Sequence, residues 1–194
     1  MFREEWFATP VWVDYIKGID NNKVIQECQK LKSLYKGRTL SNVGGWQSED
    51  LKFSDEQQEI TKLKLITEKL ALGIFAEYGV REVFKPLVSN AWVNINGHKD
   101  SNMVHNHPNA ILSAVYFVKA NDESGQFLLH NDFSQTFINS VLKQDNYLTY
   151  PSADYKAEPG KILFFPAWIP HSVGRNLSKD ARISIAFNIG TFNG

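Results

Sequence analysis

The chain has 194 residues, 43% of them hydrophobic and 22% charged, and its 21 basic and 21 acidic side chains cancel. This composition is ordinary for a globular protein, and the length predicts one domain, 1–194, that buries about 70% of its unfolded surface. A net charge of zero argues against nucleic acid or an anionic membrane as a bulk partner. No apolar run approaches the roughly 20 residues of a membrane-spanning helix.

The chain has a single cysteine, Cys28, so no disulfide can form within it. This usage is typical of a reducing compartment. The first residues also lack the basic and apolar pattern of a signal peptide. The sequence therefore predicts a cytoplasmic protein.

The N-terminal part, residues 1–83, predicts an edge strand and two helices. Residues 6–16 are typical of an extended edge segment, because Pro10 is tolerated only at an edge or at a strand start. Helix-start signals and apolar residues at helical spacing predict helices over about 20–35 and 54–78. We expect these helices to pack on one face of the remaining fold.

A glycine-rich loop, residues 41–48, separates the two predicted helices and contains Trp46. Gly44 and Gly45 permit backbone conformations that other residues avoid. The loop is expected to be either a lid or substrate wall, or a segment fixed by a buried tryptophan.

Residues 84–194 have the sequence pattern of short strands separated by turn residues such as Asn96-Gly97 and Pro159-Gly160. The predicted strands are 87–95, 110–119, 126–130, 148–150, 162–165, 171–173 and 183–189. Helices followed by many short strands indicate a sandwich or barrel with the helices on one face.

Three histidines form the candidate metal site. We expect His105 and His107, which are two residues apart, to lie on one strand, and this spacing turns both side chains to the same face. His171 ends an apolar run between prolines and supplies a third ligand. Imidazole suits iron, and three ligands leave an open face for other molecules. Each histidine could instead be an ordinary hydrogen-bonded residue, but the combined pattern favours a metal site.

A second histidine pattern, His130-Asn131-Asp132, is a literal His-x-Asp. Its spacing to His171 is short and no strong apolar strand follows it, so it ranks second. Asp132 could still approach the metal or orient a ligand.

Strand parity predicts further residues of the pocket. Arg182, Ser184 and Asn188 share one face of the last strand, and Asn94 and Asn96 share a face with Trp92 on the strand before the histidine pair. A guanidinium such as that of Arg182 can grip a carboxylate through two hydrogen bonds. Ordinary core packing is the alternative for the other residues.

The chain resembles the Fe(II)/2-oxoglutarate-dependent dioxygenase superfamily, of the prolyl-hydroxylase-like type. It is most similar to mostly uncharacterised bacterial and phage members with a His-x-His-Pro pattern. The resemblance covers most of the chain, and its order and spacing are more specific than any single motif. The matching segments are 6–12, 41–48, 105–108, 112–117, 160–166 and 182–188.

The resemblance implies a mainly β fold with α-helices, a double-stranded β-helix or jelly-roll barrel with iron in its mouth, in which 1–83 is the helical part and 84–194 the core. It also implies Fe(II) as cofactor and 2-oxoglutarate as cosubstrate. His105, His107 and His171 would bind the metal. Arg182 and Ser184 would bind the far carboxylate of 2-oxoglutarate. Tyr116 would donate a hydrogen bond to 2-oxoglutarate, but Phe117 would face inward in its place if the register differs by one residue.

His107 departs from the superfamily pattern, which has Asp or Glu at this position. Three neutral ligands leave more positive charge on the metal, so its identity stays open between iron, zinc and nickel. The implied reaction is hydroxylation with decarboxylation of 2-oxoglutarate to succinate. The alternatives are a jelly-roll metal- or ligand-binding protein without turnover and a cupin-like three-histidine dioxygenase that does not use 2-oxoglutarate.

The partners implied are O2 and a small-molecule or peptidyl substrate. The sequence does not identify the substrate. A homodimer through an exposed barrel edge is compatible with it.

Overall fold

The computed structural model describes residues 1–4, 8–131 and 149–193. It has two helices, α1 (Asn21–Leu34) and α2 (Gln58–Glu77). The strands are β1 (Trp12–Tyr15), β2 (Asn42–Val43), β3 (Trp46–Gln47), β4 (Phe84–Asn96), β5 (Ser101–His105), β6 (Leu112–Lys119), β7 (Gln126–His130), β8 (Ser152–Lys156), β9 (Lys161–Pro166), β10 (His171–Val173) and β11 (Arg182–Asn193).

Acidic side chains fix the beginnings of both helices. The Asp20 carboxylate accepts hydrogen bonds from the first-turn N–H groups of Asn22 and Lys23 at 3.0 and 3.3 Å, which satisfies donors that the helix itself cannot. At the start of α2, Glu27 of α1 accepts from the N–H groups of Glu59 and Ile60 at 2.9 and 3.0 Å. The two helices are therefore joined through a cap that lies 32 residues away in sequence.

The strands form two antiparallel sheets. The six-stranded sheet has the order β1-β9-β6-β11-β4-β3, and the five-stranded sheet has the order β2-β5-β10-β7-β8. Apart from the β3–β4 and β7–β8 pairs, strands that are adjacent in a sheet are distant in sequence, so the chain crosses repeatedly from one sheet to the other. This is the jelly-roll barrel that the sequence predicts, with both helices on one face of the larger sheet.

The two faces of the six-stranded sheet carry different residues because side chains alternate along a strand. One face packs under α1 and α2 and contributes Ile183, Ile185 and Phe187 to a large apolar core. The opposite face looks into the barrel, where a smaller aromatic core contains Phe117, Phe127 and Phe165. The barrel interior is therefore apolar around Phe117, Phe127 and Phe165.

Most predicted elements are present, with different ends. The strands over 126–130 and 171–173 are confirmed with the predicted bounds, as β7 and β10. The prediction over 148–150 begins outside the described residues, and the strand in this part of the chain, β8, begins at Ser152. Strand β5 carries His105, as expected, but it has few apolar residues, so the apolar pattern predicted no bounds for it.

No helix in the described ranges is long and apolar enough to cross a membrane.

Candidate metal centre

His105, His107 and His171 come together at the open end of the barrel. Their ring centroids are 4.3 to 5.0 Å apart, and one nitrogen from each ring lies within 4.8 Å of the others. They form the one such group of potential ligands among the described residues. One metal ion can therefore contact all three rings.

A β-bulge in β5 turns His105 toward the other two histidines. His105 pairs with His171 and Asn102 pairs with Val173, so β5 has one more residue than β10 over this stretch. The extra residue changes the alternation of side chains, and Asn102 and His105 consequently both line the cavity despite being three positions apart.

Backbone carbonyls orient two of the imidazole rings. Nδ1 of His105 lies 2.8 Å from the Met103 carbonyl, and Nδ1 of His171 lies 3.0 Å from the Ile169 carbonyl. A carbonyl only accepts, so each Nδ1 carries the hydrogen and donates it. Nε2 of each ring is thereby left with its lone pair free for a metal.

His107 lies two residues beyond the end of β5, and the prediction that both histidines belong to one strand is wrong. Its backbone N–H donates to the Ala167 carbonyl at 2.9 Å, which ties this loop to the segment before His171. Its ring lies at 5.4 Å from Trp92, between centroids. The loop, rather than strand parity, brings His107 to the site.

Burial keeps the three imidazoles neutral. Desolvation is the main reason that the pKa of His107 is lowered to about 4 and that of His171 to about 3. The positive charge that His105 would carry is the second cause in both cases. Desolvation also lowers the pKa of His105, against the hydrogen bond from its ring to Met103. A neutral imidazole is the form that binds a metal, so the site is ready for one at neutral pH.

The cavity in front of the histidines has aromatic and polar walls. Phe127 stacks on the His171 ring at 5.4 Å between centroids, and Phe165 meets it edge-on at 4.9 Å. The polar wall consists of Ser41, Asn94, Asn102, Ser113 and Ser184. These aromatic contacts with His171 were not predicted, because Phe127 lies 44 positions from it and only the β7–β10 pairing joins them.

Arg182 is buried two residues before Ser184, which lines this cavity, and its guanidinium has an unused donor. Its side chain is 1% exposed, and Nη1 donates to the carbonyls of Ser124 and Gly174 at 2.6 and 3.2 Å. Nη2 is buried without a hydrogen-bond partner among the described residues. Desolvation lowers the Arg182 pKa to about 10, so the guanidinium stays charged at neutral pH.

A buried charge with a free donor favours an anion that completes its hydrogen bonds. Ser184 is two residues from Arg182, on the same face of β11, and lines the cavity with the histidines. An anionic group that reaches from the histidines to Arg182 would pass Ser184. The described residues therefore fit a metal and a carboxylate together.

Tyr116 does not reach this cavity, and the prediction that it binds the cosubstrate is wrong in its geometry. Its hydroxyl donates to the Asn21 side chain at 2.7 Å, and the ring belongs to the core under the helices. Phe117 faces the barrel interior instead. The sequence left open a register, shifted by one residue, in which Phe117 faces inward, and the structure has this register.

The other predicted pocket residues are Asn94, Asn96 and Asn188, and of these three Asn94 alone lines the cavity. Asn94 lines the cavity, and its Oδ1 is buried without a partner among the described residues. Asn96 is buried beside it and donates to Asn102 at 3.4 Å. Asn188 accepts from the Ser113 hydroxyl at 3.0 Å and does not itself line the cavity.

Trp46 is part of the core and not of the cavity. It packs under the helices and its indole N–H donates to the Tyr35 carbonyl at 3.1 Å. This geometry matches the second expectation for the glycine-rich loop, a segment fixed by a buried tryptophan.

The competing His130-x-Asp132 pattern is only partly described. Nε2 of His130 lies 2.8 Å from the Ser172 hydroxyl, and His130 does not belong to the three-histidine group. Asp132 lies outside the described residues.

A jelly roll with three inward histidines and a buried arginine fits the class of metal-dependent oxygenases that use an acidic cosubstrate. A sequence comparison agrees: the family described as "Putative 2OG-Fe(II) oxygenase" matches residues 90–188, just over half of the chain. The protein belongs to this family of Fe(II)- and 2-oxoglutarate-dependent oxygenases. The predicted cofactor, cosubstrate and enzyme class are thereby confirmed. No curated protein matches the chain.

Solved structures with the same fold are distant in sequence. A Pseudomonas putida prolyl-4-hydroxylase has a TM-score of 0.65 at 11% identity, with 92% of this chain and 91% of that chain covered. A Trichoplax adhaerens prolyl hydroxylase, solved with a hypoxia inducible factor peptide fragment, has a TM-score of 0.67 at 14% identity, with 94% and 83% covered.

A Burkholderia pseudomallei oxidoreductase of the 2OG-Fe(II) oxygenase family has a TM-score of 0.51 at 14% identity. The comparison covers 70% of this chain and 59% of that one. At these identities, the three structures support the prolyl-hydroxylase-like jelly-roll fold alone.

Proposed function

We propose that His105, His107 and His171 hold the Fe(II) of this oxygenase and that Arg182 and Ser184 hold the far carboxylate of 2-oxoglutarate. Bound together, the metal and cosubstrate would let O2 act as the oxidant: one oxygen atom would hydroxylate a substrate C–H bond, and the other would enter succinate as 2-oxoglutarate loses CO2. The protein positions these groups and limits the access of water.

The observation that carries this proposal is the unpartnered Nη2 of Arg182. A guanidinium that is 1% exposed has lost its water, and one of its donors has no protein acceptor among the described residues. Charge-assisted hydrogen bonds to a carboxylate are the usual way to compensate such a group. Ser184 connects this point to the cavity of the histidines.

Asn94 takes the place that the sequence assigned to Tyr116. It lies on β4 directly opposite Ser184 of β11, and two residues from Trp92, which contacts His107. Its side-chain amide therefore lies between the metal ligands and Arg182. There it offers a donor to the cosubstrate and an acceptor to a group with an N–H or O–H.

The three-histidine ligand set makes the metal centre more positive than the usual set with one carboxylate. We propose that this site still binds 2-oxoglutarate, because the cosubstrate brings negative charge of its own. The same ligand set also accepts Zn(II) or Ni(II), so metal identity has to be measured with iron supplied in the absence of air.

We further propose a single oxygenase domain over 1–194, with 1–83 as its helical part and 84–194 as its jelly-roll core. Cys28 is buried and free, which is consistent with a cytoplasmic protein. A small-molecule or peptidyl substrate and a homodimer remain part of the proposal, without nucleic acid or a membrane as partner.

Oxygen-dependent succinate release tests the proposal. Purified chain with Fe(II) and 2-oxoglutarate should form succinate slowly even without substrate. His107→Ala and Arg182→Ala should each abolish most of it, whereas Tyr116→Phe, at a position outside the cavity, should not. Succinate formation that is independent of His107 would refute the ligand assignment.

A further inference from the structure

Side chains of β4, β6 and β11 stand in rows across the barrel-side face of the six-stranded sheet. Trp92, Ala186 and Val115 are opposite each other in one row, and all three line the metal cavity. The next row, two positions further along each strand, lies on the same face because side chains alternate. Its members are Asn90, Asn188 and Ser113, here called the amide row. Ser113 also lines the cavity, so the amide row borders it.

The amide row and Arg182 lie on opposite sides of the level at which the histidines meet. Trp92 marks this level, because its ring contacts that of His107. On β11, Arg182 lies before Ala186, the partner of Trp92, whereas Asn188 lies after it. A cosubstrate that reaches from the histidines to Arg182 therefore leaves the amide row uncovered. Two positions along a strand span roughly 7 Å, so the amide row can contact a group close to the reacting carbon of a substrate.

The amide row has hydrogen-bond donors that the protein does not use. The hydroxyl of Ser113, which is 2% exposed, donates to Oδ1 of Asn188 at 3.0 Å. The NH2 group at the other end of this amide has no acceptor among the described residues.

Asn90 has an unused NH2 group as well. Its Oδ1 lies 3.5 Å from the Ser89 hydroxyl, which is closer to the Asn188 carbonyl, at 3.1 Å. Its NH2 group has no acceptor in the described part of the chain. Asn90 and Asn188 are both partly exposed, so a ligand can replace the water at these donors.

The surroundings of the amide row carry no charge. None of the described residues that line the cavity is Asp, Glu, Lys or Arg. Residues 86–97, 101–118, 162–174 and 183–194, which carry most of the lining, contain none of these four types either. The guanidinium of Arg182 is assigned to the cosubstrate. A charged substrate group would lose its hydration here without finding an opposite charge, whereas a neutral oxygen can accept from an amide NH2.

We infer that Asn188 and Asn90 determine specificity by donating hydrogen bonds to a neutral carbonyl or hydroxyl oxygen of the substrate. The substrate is then an uncharged molecule that has such an oxygen close to the C–H bond to be hydroxylated. Ser113 is a positioning residue, because its hydroxyl fixes which end of the Asn188 amide is free. This inference rests on the proposed function, since it names the substrate class of the same site.

The test uses small aromatic probes that differ in one group. Para-fluoroacetophenone has a ketone oxygen, which only accepts hydrogen bonds, para-fluoroethylbenzene has no such oxygen, and para-fluorobenzoate is charged. Fluorine NMR titrations of the full chain, loaded with Zn(II) and 2-oxoglutarate, measure the three dissociation constants. The ketone should bind at least about threefold more tightly than the other two probes, which is the effect of one or two neutral hydrogen bonds.

Asn188→Asp keeps the size of the side chain and an acceptor for Ser113 but removes the NH2 group. The ketone should then bind no more tightly than the ethylbenzene probe. Asn90→Ala changes a partly exposed position and should also lower the ratio of the two affinities. Ser113→Ala should lower this ratio less, because the amide remains but can rotate. Thr191→Val is the matched control: Thr191 is exposed on the opposite face of β11, and the variant should keep the wild-type ratio.

Equal affinity of the wild type for the ketone and the ethylbenzene probe would overturn the inference. Tighter binding of the benzoate would do the same, as would a ketone preference that survives both Asn188→Asp and Asn90→Ala. Replacing Zn(II) with paramagnetic Fe(II), in the absence of oxygen, should shift and broaden the fluorine signal of the bound ketone. An unaffected signal would place the probe away from the metal and would also overturn the inference.

A titration of the same proteins with 2-oxoglutarate separates this inference from the proposed function and ensures that probes are compared at saturating cosubstrate. A wild type that binds 2-oxoglutarate but shows no ketone preference overturns the inference and leaves the proposed function intact. A wild type that does not bind 2-oxoglutarate overturns the proposed function and, with it, the role of the amide row in substrate selection.

Discussion

The two faces of strand β11 carry different kinds of buried side chain. On the helix side, Ile183, Ile185 and Phe187 are almost fully buried in the large core. On the barrel side, Arg182 and Ser184 are just as inaccessible but polar, and Arg182 retains an unused donor. Substitutions on the helix side should therefore lower the stability of the fold, whereas substitutions on the barrel side should weaken the binding of the cosubstrate.

The largest effect is expected on the helix side. Ile185 is 0% exposed, and Ile185→Ala should lower the free energy of unfolding by about 2–5 kcal/mol, because it removes buried methyl groups and leaves a cavity. Urea unfolding followed by circular dichroism measures this change. A loss below about 1 kcal/mol would contradict the assignment of this face to the core.

On the barrel side, Arg182→Met should raise the dissociation constant for 2-oxoglutarate by about 10- to 100-fold, because charge-assisted hydrogen bonds are lost. Calorimetric titration with Zn(II) in the metal site measures it. Arg182→Lys is the matched control: it retains the charge without the two-pronged geometry and should lie between the wild type and Arg182→Met. Equal affinity in all three proteins would refute the cosubstrate assignment.

The metal-free protein should lose stability as the pH falls. The folded pKa values of His107 and His171, about 4 and about 3, lie below the value of roughly 6.5 for an unfolded histidine. Between these values the unfolded chain binds more protons than the folded chain, so the unfolding free energy decreases as pH drops through 6.5 toward 4.

His171→Phe provides the comparison for this pH dependence. It removes one buried titrating group, so its unfolding free energy should fall less steeply over the same pH range. Urea unfolding at a series of pH values, with a chelator present, measures both slopes. Parallel slopes in the two proteins would show that His171 does not contribute.

The smallest effect is expected for Tyr116→Phe. The change removes the hydrogen bond to Asn21 and should cost about 0.5–1.5 kcal/mol of stability. The affinity for 2-oxoglutarate should stay unchanged, because the hydroxyl lies on the helix side of the sheet. A tenfold loss of cosubstrate affinity would place Tyr116 at the site after all.

The sequence predicts the fold and the residues that meet at the site better than it predicts how they are placed. Turn residues and apolar runs were enough to locate β7 and β10, and the spacing of His105, His107 and His171 indicated a common metal site. The β5 bulge has no sequence signal of its own, so the reason that His105 and Asn102 share a wall could not be read in advance.

The sequence also did not decide which side chains of strand β6 face the barrel interior. Tyr116 and Phe117 are both large aromatic residues in a strand that is buried on both faces, so apolar alternation cannot decide which of them faces inward. Asn94 lines the cavity, as parity predicts, because polar and apolar residues alternate over residues 93–96. Only the pairing of β4 with β11 shows that it stands opposite Ser184.

The central claim is that the histidines and Arg182 are two ends of one binding site for metal and cosubstrate. An anaerobic Fe(II) titration with 2-oxoglutarate tests it directly through the visible charge-transfer absorption of the chelated iron. The wild type and Tyr116→Phe should develop this absorption, His107→Ala should not, and Arg182→Met should need at least about tenfold more 2-oxoglutarate. Absorption that develops in all four proteins at the same 2-oxoglutarate concentration would contradict the claim.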